Sequence, residues 1–112
     1  MVGLALILAA ALAGDDTAKT AALENVGKQV SEWSECTIGA AKGFARKTAE
    51  PADLIADAAL ALCGPFVDEI ERLAGTAEVP IDAVRKAMDR RIVDQRRTLI
   101  LTVITARMPP KR

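Results

Sequence analysis

Glu50-Pro51 divides two long segments whose apolar residues fall at helical spacing, and the chain's two cysteines flank that break symmetrically: Cys36 lies thirteen residues before Ala49, Cys63 thirteen after Glu50. Proline disfavours helix in the residue before it and is favoured at the first helical position, so the chain must turn here. In an antiparallel helical hairpin, residues equidistant from the turn share one level. Trp33 and Phe66, Ala40 and Ala59, and Phe44 and Ile55 are paired in the same way. At a rise of 1.5 Å per residue the two thiols meet about 20 Å from the turn. A disulfide needs α-carbons within about 7 Å, closer than most helix pairs approach. Gly39, Ala40 and Gly43 on one side, and Ala56, Ala59 and Gly64 on the other, are small enough to permit it. The expectation is a structural Cys36–Cys63 disulfide, with two buried free thiols as the alternative. A redox pair is disfavoured, because the spacing is not C-x-x-C and no βαβ pattern surrounds it.

The remaining punctuation is also that of helices. The first segment, Ala18 to Thr48 with a cap at Asp16 or Thr17, carries Leu23, Val26, Val30, Trp33, Ala40 and Phe44 near a three-four spacing. The second, Pro51 to Ala74, carries Ile55, Ala59, Leu62, Phe66, Ile70 and Leu73, with Gly75 as its expected C-terminal cap. Gly64-Pro65 removes one backbone hydrogen bond within it and is expected to kink the helix or split it. Pro80 opens a third segment, with Asp82 in its first turn, that runs through Val84, Met88, Ile92, Leu99 and Val103 to Pro109-Pro110. The fold class expected is all-α: a stapled antiparallel hairpin plus a long basic amphipathic helix, a small three-helix bundle in one domain, residues 14–112.

Residues 1–13 stand apart. The apolar run Leu4 to Ala13 ends in the A-x-A pattern of Ala11 and Ala13 and reads as a secretory signal peptide cleaved after Ala13. Thirteen helical residues reach only about 20 Å, short of a hydrocarbon core of about 30 Å. The expected location is therefore periplasmic or secreted. Without cleavage the run would instead be a buried N-terminal helix of a cytoplasmic protein.

A Trp three residues before a Cys, an Ala-rich stretch, the Glu50-Pro51-Ala52 turn, Ile55-Ala56-Asp57-Ala58-Ala59 and a second Cys together resemble small exported bacterial helical proteins of unknown function with a stapled hairpin. The resemblance covers roughly residues 30–72. It implies export and the disulfide, and brings no activity or site with it.

The 15 bases and 15 acids balance overall but not along the chain. Residues 14–84 hold thirteen acids and six bases, whereas residues 85–112 hold nine bases and two acids. The third segment is thus a basic rod, with Arg85, Arg90, Arg91, Arg96 and Arg97 as its candidate basic face. The plainer reading pairs it with the acidic hairpin, within or between chains; the other sets it against an anionic membrane surface or an acidic protein. Nucleic acid is the weakest partner, since export removes it and no aromatic residues interleave for base stacking. The rod ends in Thr98-Leu99-Ile100-Leu101-Thr102-Val103-Ile104-Thr105, aliphatic apart from one threonine stripe. β-Branching leaves a strand open here. As a helix, it is apolar on more sides than a hairpin covers. Leu99, Ile100, Leu101, Val103 and Ile104 are therefore the candidate interaction surface.

No catalytic site, metal site, cofactor or small-molecule substrate is expected. The chain contains no His, which removes Ser-His and Cys-His nucleophile pairs and His-ligated zinc. The acid groups Glu32 with Glu35, Asp53 with Asp57, and Asp68, Glu69, Glu71 share helix faces but read as solvated surface. Ser31 and Ser34 have no base nearby in sequence, and Trp33 reads as a core anchor opposite Phe66. The functional expectation is a non-catalytic exported module acting in protein binding or self-assembly, as a homo-oligomer or with a protein partner. The alternative is a protein that inserts its third helix at a lipid interface. Intact mass of the protein recovered from the periplasm or medium checks export: the expected product begins at Gly14, and one that begins at Met1 refutes cleavage.

Overall fold

The computed structural model describes residues 14–110, so the expected leader, residues 1–13, lies outside the described residues. The described residues form four helices, α1 (Gly14–Lys47), α2 (Ala52–Leu62), α3 (Gly64–Thr76) and α4 (Ile81–Arg107), and no strand. The expected three-helix count is thus corrected to four, because the second limb splits rather than kinks. Cys63 caps both α2 and α3, and Pro65 falls in the first turn of α3, where its missing N–H loses no helical bond. The Cys63 amide donates to the Ala59 carbonyl and the Phe66 amide to the Cys63 carbonyl, each at 3.1 Å, so the break costs a single residue.

Two further boundaries differ from expectation. The structure describes α1 from Gly14, so Asp16 and Thr17 lie inside the helix rather than capping it. α3 runs past Gly75, and its left-handed residue is Glu78 (φ 61°). The Val79 amide donates to the Ala74 carbonyl and the Glu78 amide to the Gly75 carbonyl, each at 3.0 Å, the paired bonds of a Schellman ending. A non-glycine residue is uncommon there. Glu78 is tied down by Lys19 Nζ at 2.8 Å, which joins this turn to the start of α1. The stretch 98–105 is helix, not strand.

α1 is the spine against which the other three pack, and the core divides into two clusters along it. Trp33 lies buried with Cys63, Ile70, Ala74, Val84 and Met88, and Phe66 packs against that group. Ala41 and Ala45 lie with Ile55, Ala56, Ala59, Leu99 and Val103, with Ala40 and Phe44 alongside. The hairpin register expected from the turn is the one observed. Cys36 and Cys63 form a disulfide whose α-carbons are 6.1 Å apart. The glycines do not create this approach: a β-carbon on Gly39, Gly43 or Gly64 would meet nothing within 4 Å. The small residues that do line it are alanines, Ala41 facing Ala56 and Ala59, all without solvent exposure.

Between the clusters, next to the staple, is a polar node. The buried Thr37 Oγ1 donates to the Ser34 carbonyl at 2.8 Å, while Gln95 Nε2 of α4 donates to Thr37 Oγ1 at 2.8 Å and Ser34 Oγ at 3.1 Å. Gln95 occupies the core stripe of α4 between Ile92 and Leu99, and its amide fixes the height of α4 against α1. At the far end, the Arg107 guanidinium donates to the Ala45 carbonyl at 3.3 Å and the Thr48 carbonyl at 2.9 Å, closing the C-terminus of α1 with a positive charge.

In the chain-entropy model a crosslink over 27 residues contributes roughly 3 to 4 kcal/mol. Cys36→Ala with Cys63→Ala should lower the unfolding free energy by about 2 to 4 kcal/mol and leave the helical signal largely intact. Denaturant melts with and without reductant check this; a midpoint that neither treatment moves refutes the staple.

Candidate functional site

The core stripe of α4 is Val84, Met88, Ile92, Gln95, Leu99 and Val103, spaced by three or four residues as one face of a helix requires. This corrects the candidate interaction surface. Leu99 and Val103 have no solvent exposure and belong to the core, and Ile100 is half-buried against the same cluster. Leu101 and Ile104 are exposed at 64% and 47%. Their face, opposite the core, extends further than the sequence expectation: Val93 at 55% and Met108 at 62% lie on it too. Positions 93, 97, 101 and 104 step by four, four and three, so Val93, Arg97, Leu101 and Ile104 form one ridge down the outside of α4, and the exposed Met108 follows as the residue that caps the helix. Counting from Leu101 along this spacing would have found the two missed residues.

The candidate basic face is also divided. Arg96 Nε lies 2.8 Å from Asp57 Oδ1 of α2, and Arg85 Nε 3.5 Å from Glu71 Oε1 of α3, so these two point back towards the acidic limb. The hydrogen bond from Arg96 holds the Asp57 carboxyl below its ordinary range. The strut is therefore charged at neutral pH and is lost only as the pH falls through that lowered value, and both groups face solvent, where screening keeps such pairs weak. Arg91 edges a groove between α1, α3 and α4, while Arg90 and Arg97 face outwards beside Val93 and Leu101. Arg90, Arg91 and Arg97 have no ion pair among the described residues.

Two depressions flank α4. One, about 450 Å³, opens above the polar node and is floored by Val26, Val30, Ile70, Ala74, Val84 and Met88. Gly27, Ala83 and Ala87 also line it. The other, about 370 Å³, runs beside the ridge between the last turns of α1 and α4; Lys42 and Arg46 form one wall, Thr98, Leu101, Thr102 and Thr105 the other. Thr98 Oγ1 donates to the Asp94 carbonyl at 3.3 Å and Thr102 Oγ1 to the Thr98 carbonyl at 2.8 Å, so both hydroxyl protons are spent on α4 itself.

Among the described residues no group of three or more acidic or cysteine side chains is placed to hold a metal ion, and no helix is long and apolar enough to cross a membrane. What these residues define is an all-α, disulfide-tied scaffold that displays an aliphatic ridge with a cationic trough beside it. The chain matches no family model, no curated protein and no solved structure.

Inside and outside of α4 are separable by substitution. Leu99→Ala and Val103→Ala should each destabilise the fold, Leu99→Ala by about 2 to 5 kcal/mol and Val103→Ala towards the lower end. Leu101→Lys and Ile104→Lys should cost no more than about 0.5 kcal/mol. Thermal melts check this, and unfolding by the Lys substitutions would place the ridge in the core.

Proposed function

We propose that this protein is an exported, non-catalytic helical module that works by association, with the outer ridge of α4 as its binding surface. The observation that carries the reading is the exposure of Val93, Leu101, Ile104 and Met108 along one line opposite the core. A chain rich in alanine has ready helix-forming alternatives at such positions. Instead it places large aliphatic side chains in water, each worth about 1.5 to 3 kcal/mol when covered. Four in line suffice to drive contact even after the entropic cost of association. The disulfide and the leader-like residues 1–13 support export. The absence of His from the sequence and the dispersal of the carboxylates over solvent-facing helix surfaces support a binding rather than a catalytic role.

A benzophenone side chain in place of that of Leu101 tests the reading in living cells, with the same group at the exposed Ala58 of α2 as control. Irradiation should give a covalent adduct from position 101, whatever the partner, and none from position 58. No adduct at either position, or equal adducts at both, refutes the ridge as the surface in use.

A further inference from the structure

The residues around the ridge specify the chemistry of its partner, an assignment that rests on the binding role proposed for α4. Residues 36–49 at the end of α1 contain Lys42, Arg46 and Lys47 and no acid; residues 95–110 contain Arg96, Arg97 and Arg107 and no acid. The ridge residues Leu101, Ile104 and Met108 therefore stand at a cationic end of the molecule. The acids nearest this end are Glu50 in the turn between α1 and α2 and Asp53 and Asp57 of α2, and Asp57 is already engaged by Arg96. On the trough side, Lys42 and Arg46 are one helical turn apart on α1, face Leu101 and Thr102 across about 370 Å³, and have no ion pair among the described residues. Asp89 and Asp94 edge the ridge only in its upper half, beside Arg90 and Val93.

We propose that this end of the protein seats on an anionic phospholipid surface, with headgroup phosphates drawn to Lys42, Arg46 and Arg97 while Leu101, Ile104 and Met108 enter the acyl boundary. Three features favour lipid over a protein occupant. The ridge is a line of exposed side chains on the outward face of α4 rather than a cleft, a shape that a planar interface can meet. Cations with long stems border aliphatic residues, the arrangement that lets charge stay at headgroup level while the apolar side chains go deeper. A second copy meeting the same face would bring Arg97, Lys42 and Arg46 against their own equivalents and bury like charges together. No described helix is long and apolar enough to cross a membrane, and the seat proposed is on the surface.

Co-sedimentation of the intact protein with phosphatidylcholine vesicles, with and without phosphatidylglycerol, tests the proposal. Binding should require phosphatidylglycerol and weaken at least about tenfold between about 0.1 M and 1 M salt, as the screening length shortens. Lys42→Gln with Arg46→Gln should weaken it roughly tenfold to thirtyfold, and Leu101→Asn with Ile104→Asn comparably. Leu54→Asn with Leu62→Asn, on the exposed face of α2, should change nothing. Absence of binding, equal binding to neutral vesicles, or indifference to both α4-end pairs overturns the proposal. So does a lipid-free dimer that Ile104→Asn dissociates; that result would keep the ridge as a binding surface and assign it to a second copy, whereas a ridge that forms no adduct in cells removes the binding role itself.

Discussion

The Cys36–Cys63 crosslink sits at the one level of the fold where every helix has something to lose. It lies where α2 gives way to α3, and it joins that junction to the middle of the spine. Above it, α1 packs on α3; below it, α1 packs on α2; the two halves of the core meet there without merging. A one-residue break between two short helices is a place where a chain readily opens, since helices of eleven and thirteen residues are marginal by themselves. The bond prevents the break from becoming a hinge. Of the two cysteines, Cys63 is fully buried in the core and Cys36 is half-buried against the same cluster.

α4 then acts as a splint across the junction. It runs past both core clusters and is held at three heights by different chemistry: apolar packing of Val84 and Met88, the Gln95 amide on Thr37 and Ser34, and Leu99 and Val103 followed by the Arg107 cap on α1. The Gln95 node does for the register of α4 what the disulfide does for the hairpin. An aliphatic residue at position 95 would leave the middle of α4 held by apolar packing that does not distinguish one height from another; the amide has its partners at one height only.

The hairpin and its register were legible in the sequence because a proline-marked turn and two equidistant cysteines determine every level at once. Helical identity was legible from spacing and from the lack of strand punctuation. The polar node was not, since Gln95, Thr37 and Ser34 are ordinary helix-surface residues until the rotation of α4 is known. The same missing rotation blurred the candidate surface. Periodicity told that residues 98–105 are apolar nearly all round, but which half turns inward depends on the hairpin face that α4 meets. Leu99 and Val103 went to the core, and Leu101 and Ile104 to the outside. Gly39 and Gly43 misled because small residues near a crosslink suggest close approach, while their actual position is the open side of α1.

How α4 is held decides how well its ridge can bind. A flexible amphipathic tail must order itself on contact, and that loss of freedom is charged against affinity. Here Leu99 and Val103 lock the same two turns that display Leu101 and Ile104, and Arg107 anchors the last turn to α1. The exposed side chains are thus presented on an already ordered helix. The helix that supplies Leu99 and Val103 to one core cluster also exposes Leu101 and Ile104, so the core and the proposed binding surface lie on opposite sides of a single element. The Cys36–Cys63 bond, by keeping the hairpin closed beneath it, maintains the rigidity on which both sides depend.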